Sequence, residues 1–280
     1  MNTSLKNLTI KNNFMFAAVM SDEENCKGFL ERAISIKVDH VEISTEKNIV
    51  YHPEYKGVRL DVYAKDENNT RYNIEMQVLK QPALGRRSRY YQSQMDMELL
   101  LKGCEYAELP DSYVIFLCDF DPFGEGKYRY TFCAGCSETA DASLKDGRYI
   151  MFLNTCGENA EDVPQELVSF LEFVHADLKE SQKDFQDEYV RQVQKSVAYI
   201  KRNREMEERF MLLEELLKDE HREGLKEGLK TAIQMALSKF GQLPDSLLEA
   251  LQEQEDIEVI RSWIDIALKS QSLDDFISKM

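Results

Sequence analysis

The chain has 280 residues, of which 31% are charged and 43% hydrophobic, and a formal net charge of −16. That length supports one sizeable core with an appendage, or two modest domains. The acidic balance excludes a generic polyanion binder, no apolar run approaches the roughly 18 residues of a membrane span, and the N-terminus lacks the charged-then-apolar order of a secretory signal. Six scattered cysteines (Cys26, Cys104, Cys118, Cys133, Cys136 and Cys156) then read as reduced thiols of a cytoplasmic protein.

Taken in order, residues 12–36 read as helix, with Phe16, Val19, Met20, Phe29, Leu30, Ala33 and Ile34 at helical spacing. Ser21 and Glu24 have capping-box spacing and predict a second helix start. Residues 38–50 read as an extended edge segment, and His52-Pro53 as a turn.

Residues 58–78 carry the clearest pattern. Val58, Leu60, Val62 and Ala64 alternate with Arg59, Asp61 and Tyr63. Tyr72, Ile74, Met76 and Val78 alternate with Asn73, Glu75 and Gln77. Such alternation predicts two half-buried strands, and the polar stretch Lys65–Arg71 between them predicts a turn. A loop centred on Asn68 places Asp61 opposite Glu75, with Cβ atoms about 5 Å apart. Two carboxylates that close repel unless they share a proton or a cation. With Gln77 beside them they suggest an oxygen-rich site of the kind Mg2+ prefers. The other reading is a solvated hairpin face with incidental charges.

Charge is unevenly distributed around this hairpin. Between Lys56 and Tyr91 there are eight bases and four acids. A site acting on phosphodiesters needs that combination of acids for a metal and bases for phosphates. A helix over residues 83–103 follows, with Leu84, Tyr91, Met95, Leu99 and Leu100 as its apolar stripe and Gly103 as its stop. Its first turns bring Arg86, Arg87, Arg89 and Tyr90 within a few residues of Gln77, where the arginines read as phosphate contacts or as an ordinary solvated helix face.

Tyr113–Cys118 reads as a fully buried strand, and Tyr128–Phe132 and Arg148–Leu153 as two more. Cys133 and Cys136 have metal-type spacing without a second pair, which favours turn or core cysteines over zinc. Pro164–Leu178 reads as a helix closing the compact part. Beyond residue 180, Val190, Val193, Val197 and Ile200 form one helical seam, and Met206, Phe210, Leu213 and Leu217 a second. These seams suggest a homodimer through the C-terminal helical region. Two Glu-Gly-Leu-Lys tetrads occupy residues 223–230, and residues 241–280 read as a small acidic helical module with Pro244 at a helix start and Trp263 as its anchor. No phosphate-binding glycine loop, nucleophile elbow or helical HExxH motif is present, and the four histidines are isolated. Metal-assisted hydrolysis is the chemistry with visible parts.

These residues resemble a known family. Arg59-x-Asp61, a gap, then Ile74-Glu75-Met76-Gln77 and an arginine- and tyrosine-bearing helix resemble the PD-(D/E)XK nuclease superfamily, specifically its Rpn (recombination-promoting nuclease) and transposase branch. Asn13-Phe14-Met15-Phe16 with Phe29-Leu30-Glu31, the segment from Gly103 to Phe116, Phe152-Leu153-Asn154-Thr155, and the tetrads are similar to other parts of that branch. The resemblance implies a restriction-endonuclease-like α/β fold: a mixed β-sheet flanked by helices, with an α-helical C-terminal extension. It implies a nuclease-like domain over 1–178, an extended helical segment over 179–240 and a module over 241–280. It further implies an Mg2+-dependent DNA endonuclease, with Mn2+ able to substitute, linked to recombination or mobile elements. Asp61, Glu75 and the Met76 backbone carbonyl match the family's metal ligands, and Arg86, Arg87, Arg89 and Tyr90 would contact DNA. Gln77 stands where the superfamily has a catalytic Lys, and Leu60 where it has Pro. Glutamine can orient a water but carries no charge, so the alternative is a catalytically degenerate nuclease-fold protein acting in nucleic-acid binding or assembly.

Overall fold

The computed structural model describes residues 4–49, 56–139 and 141–280. The expected His52-Pro53 turn lies outside the described residues. The chain divides into two units, Met1–Glu207 and Glu208–Met280.

The first unit opens with α1 (Asn13–Met20) and α2 (Glu23–Ile34). Asp22, not Ser21, caps α2: its carboxylate accepts from Asn25 N–H at 3.0 Å, while the Ser21 hydroxyl donates back to the Ala18 carbonyl. Three strands follow, β1 (Val41–Ile49), β2 (Val58–Asp66) and β3 (Arg71–Gln77), then α3 (Leu84–Leu99), β4 (Ser112–Cys118), β5 (Arg129–Phe132), β6 (Arg148–Asn154), α4 (Gln165–His175) and α5 (Glu188–Ile200). The sheet order is β1-β2-β3-β4-β6-β5. β1, β2 and β3 pair antiparallel, β3, β4 and β6 pair parallel, and β5 returns antiparallel to β6. This is a mixed sheet flanked by helices, and the chain continues into C-terminal helices.

β3 departs from the half-buried expectation, because it is buried on both faces from Tyr72 to Gln77. It lies inside the sheet, between β2 and β4, and so has no solvent side. Val114, Phe116, Cys118 and Phe152 cluster with Leu84, Tyr91 and Met95 of α3, and the Tyr91, Phe116 and Phe152 rings stack across helix and strands. Phe16, Phe29 and Phe170 of α1, α2 and α4 form a second aromatic run of edge contacts. Val190, Val193, Val197 and Ile200 are buried inside this same unit, where α5 packs on α1, α2 and α4. That seam is therefore used within the chain and is not a free dimer face.

The second unit contains the rest of α6 (Arg204–Leu237), then α7 (Asp245–Glu253), α8 (Ile257–Lys269) and α9 (Leu273–Ile277). Gly224 and Gly228 are helical, within α6. Ile233, Leu237, Leu247, Leu251, Ile260, Trp263 and Phe276 form its core. Trp263 is part of that core, as the sequence suggests. Among the described residues no helix is long and apolar enough to cross a membrane.

Gly28 tests the packing of α5 on α2. A Cβ at Gly28 would stand 2.5 Å from the Tyr189 ring, which is fixed by its hydroxyl donating to the Asn25 carbonyl and by Arg32 over its face. In an open helix Gly→Ala stabilises by about 1 kcal/mol, but overpacking costs about 1–3 kcal/mol. Gly28→Ala is therefore expected to lose about 1–2 kcal/mol in urea unfolding. A stabilised variant would show that this helix contact is not tight.

Candidate active site

The hairpin register is set by one side chain at its loop. Asp66 Oδ1 accepts from the N–H groups of Asn68 at 2.9 Å and Thr70 at 2.8 Å, and Oδ2 accepts from the Tyr72 hydroxyl at 2.8 Å. Asn69 takes the left-handed conformation at φ 66°, which Asn tolerates better than most residues. The resulting pairs run Lys65 with Arg71, Ala64 with Tyr72, Tyr63 with Asn73 and Val62 with Ile74. Continued by one step, this register sets Asp61 against Glu75.

At that step the two strands stop pairing backbone to backbone, and the carboxylates take over. Asp61 N–H donates to Glu75 Oε1 at 3.4 Å, and Met76 N–H donates to Asp61 Oδ2 at 3.2 Å. β2 stays paired with β1 to Val58, while β3 stays paired with β4 to Gln77. The hairpin thus opens between Asp61 and Glu75, with an acid on each lip.

Glu75 is 1% exposed. Its second oxygen accepts from Arg87 Nη2 at 2.9 Å. Arg87 Nη1 donates to Gln77 Oε1 at 3.1 Å and Arg87 Nε to the Tyr91 hydroxyl at 2.7 Å. Gln77 uses its other end to donate to the Met76 carbonyl at 3.0 Å. Arg87 and Tyr91 are four residues apart on one helical face, where such pairs meet. The turn that aims this face starts at Ala83, a non-glycine residue at φ 63° with no side-chain cap on α3. That conformation costs about 1–2 kcal/mol, which is consistent with a constrained functional junction.

Opposing effects act on Glu75. Burial raises its pKa most, the neighbouring Asp61 charge adds to this, and the Arg87 guanidinium pulls the other way, with the result near 8. Burial and carboxylate repulsion therefore outweigh the ion pair. The charge state of the pair depends on which cation is near.

The sequence-nominated residues fall into two groups. Asp61, Glu75, Met76, Gln77 and Arg87 come together. Arg86 and Arg89 are exposed on α3, and the Tyr90 hydroxyl donates to the Lys56 carbonyl. Tyr91, not Tyr90, touches the carboxylate cluster through Arg87, and its i+4 spacing from Arg87 was the signal available for it. Glu31 accepts from Val38 N–H at 3.2 Å and so serves the α2–β1 connection. Lys80 lies beyond the end of β3 and is exposed.

One neighbouring network was not foreseen. Asp119, just past β4, donates its N–H to the Gln77 carbonyl at 2.9 Å. Its carboxylate accepts from Lys11 Nζ and His175 Nδ1, both at 2.9 Å, and from the Thr155 hydroxyl at 3.0 Å. The signal for it was position: an Asp immediately after a buried parallel strand lies at the carboxyl edge, where α/β sheets carry their sites.

The donor set suits a hard cation. Among the described residues no group of three or more His, Cys, Asp or Glu side chains is arranged to hold a metal. Two carboxylates and a main-chain carbonyl are nonetheless what Mg2+ accepts when waters complete its shell, and a buried carboxylate beside a second one is stabilised by such a charge.

The comparisons agree with this architecture. The family described as PD-(D/E)XK nuclease family transposase matches residues 10–228. The chain belongs to that family, a nuclease and transposase class that shares the restriction-endonuclease-like fold seen here. No curated protein and no solved structure gives a significant match.

The raised pKa of Glu75 has a measurable sign. The unfolded chain releases this proton near 4.5 and the folded protein near 8. Stability from this group is therefore complete below about 4.5 and is lost as pH rises towards 8. In metal-free buffer the wild type is expected to lose urea stability across that window relative to Glu75→Gln, which has no proton to release. Parallel pH profiles for the two proteins would contradict the assignment.

Proposed function

We propose that the chain is an Mg2+-dependent DNA endonuclease in which Asp61, Glu75 and the Met76 carbonyl hold the metal, with Mn2+ able to replace Mg2+. The observation that carries this reading is the opening of the β2–β3 pairing at Asp61 and Glu75, which puts two acids on its lips inside the chain's basic island. Bound there, the divalent ion supplies Lewis-acid polarisation of the phosphoryl group and a more acidic water.

The protein's own groups divide the remaining work. Asp61 is oriented by the Met76 N–H, so its carboxylate stays aimed at the lip. Gln77 is fixed at both ends of its amide and orients a water without supplying charge. Arg87 supplies that charge: its guanidinium donates to both Glu75 and Gln77, next to where the superfamily lysine would act. A metal held there would give Glu75 a second cation, and Arg87 would then be available to the phosphate whose charge grows during in-line attack. Arg86 and Arg89, exposed one residue to the N-terminal side of Arg87 and two to the C-terminal side, hold flanking phosphates. A role in recombination or mobile-element movement agrees with the family's transposase description.

Plasmid nicking with Mg2+ or Mn2+ tests this directly. Wild type is expected to convert supercoiled plasmid to nicked and linear forms, and Glu75→Ala to lose this activity. Arg87→Gln should lower the rate roughly 100-fold, the typical cost of one charge-stabilising donor. Equal nicking by wild type and Glu75→Ala would defeat the proposal. The degenerate reading, favoured by the neutral Gln77, instead requires intact DNA with every metal alongside salt-sensitive binding.

The surface arginines give an independent readout. Loss of Arg86 and Arg89 together should reduce the slope of log affinity against log salt by about 0.9 for each phosphate contact removed. An unchanged slope would move the DNA path off α3.

A further inference from the structure

A second site lies in the first unit and shares no residue with the carboxylate cluster. It is a cavity of about 320 Å³ between the N-terminal segment, the end of α4 with its following turn, and α5. Among the described residues three bases line it, Lys6, Lys201 and Arg202, and no acid does. That is unexpected in a chain with 51 acids and 35 bases. Elsewhere in the unit Lys11, Lys47, Lys65 and Lys127 all hold carboxylates. Among the described residues, the side chains of Lys6, Lys201 and Arg202 hold none and donate no hydrogen bond. Burial lowers the Lys201 pKa, with no carboxylate to offset it.

The remaining lining limits what those cations can face. Ile10, Phe173 and Val197 give a buried apolar wall. Gln194 Nε2 is committed to the carbonyls of Ser181 and Lys183, both at 2.8 Å, which leaves its Oε1 to accept. Thr9, Ser181 and Gln182 add polar groups that interrupt the apolar wall, so a long acyl chain has no continuous tube. The volume sits at the low end of the roughly 300–1,000 Å³ of ligand pockets, too small for an oligonucleotide. A phosphate monoester meets three cations, one of them an arginine fork suited to bidentate contact. A flat ring with a donor edge meets the apolar wall and the Gln194 oxygen.

We infer that this cavity binds a free 5′-mononucleotide, with its phosphate held by Lys6, Lys201 and Arg202. The inference is independent of the nuclease reading. One connection to the carboxylate site is visible: Lys11, next to Ile10, joins the His175 carbonyl and Asp119, whose N–H holds the Gln77 carbonyl.

Calorimetry on the full chain in EDTA tests the inference, with AMP, ribose 5-phosphate and inorganic phosphate as the titrants. AMP is expected to bind saturably with one site, and the two fragments at least about ten-fold more weakly. Arg202→Gln and Lys201→Gln should each weaken AMP about ten-fold, the scale of one charge-assisted hydrogen bond. Arg202 is exposed, so its variant remains informative if Lys201→Gln unfolds. Glu75→Gln should bind AMP like the wild type, which separates this cavity from the carboxylate site. Absent AMP binding, binding indifferent to Arg202, or inorganic phosphate binding as tightly as AMP would each overturn the inference.

Discussion

A buried carboxylate facing a second carboxylate is the constraint around which the first unit is arranged. Glu75 sits inside the sheet, where an uncompensated charge would be strongly disfavoured. The surrounding structure answers with directed cations and dipoles. Arg87 reaches over from α3, the Asp61 backbone N–H points at Glu75, and Met76 N–H holds Asp61 in return. The left-handed turn at Ala83 and the stacking of Tyr91 on Phe116 fix where α3 begins and how it lies. Those features make sense as a set: each helps bring one guanidinium to one buried acid.

The same arrangement bears on the proposed nuclease site, where glutamine stands in place of the lysine of the superfamily name. Gln77 is not a bare replacement. Its amide is clamped between the Met76 carbonyl and Arg87, so in the proposed mechanism orientation comes from glutamine and charge from the helix. The neighbouring Asp119, His175, Thr155 and Lys11 network extends this edge of the sheet. It ties the end of β3 to the ends of β4 and β6 and to the N-terminal segment.

Much of this was readable in the sequence because it follows short-range rules. Period-two alternation marked both strands, and the turn-prone stretch around Asn68 fixed a register that the Asp66 side chain then enforces. The continuous apolar run at Tyr113–Cys118 marked a buried strand, and β4 is parallel to neighbours on both sides. The double burial of β3 was not readable, since alternation suggests a solvent face and only the parallel pairing with β4 removes it. The role of α5 was also hidden: its apolar seam has the same spacing whether it meets another copy or its own α1, α2 and α4. Arginines 86, 87 and 89 looked equivalent as a run. Helical geometry separates them, sending Arg87 inward with Tyr91 and leaving the other two in solvent. Asp119 carried no motif at all, and its place is set by strand order.

The central claim is that the acids of the opened hairpin hold a divalent ion. The most direct measurement is a crystal structure of the protein soaked in Mn2+, with anomalous data collected at the manganese edge. The account requires one anomalous peak within direct coordination distance of oxygens of both Asp61 and Glu75, with Arg87 released from Glu75. An intact Arg87–Glu75 pair with no peak between the carboxylates would contradict it.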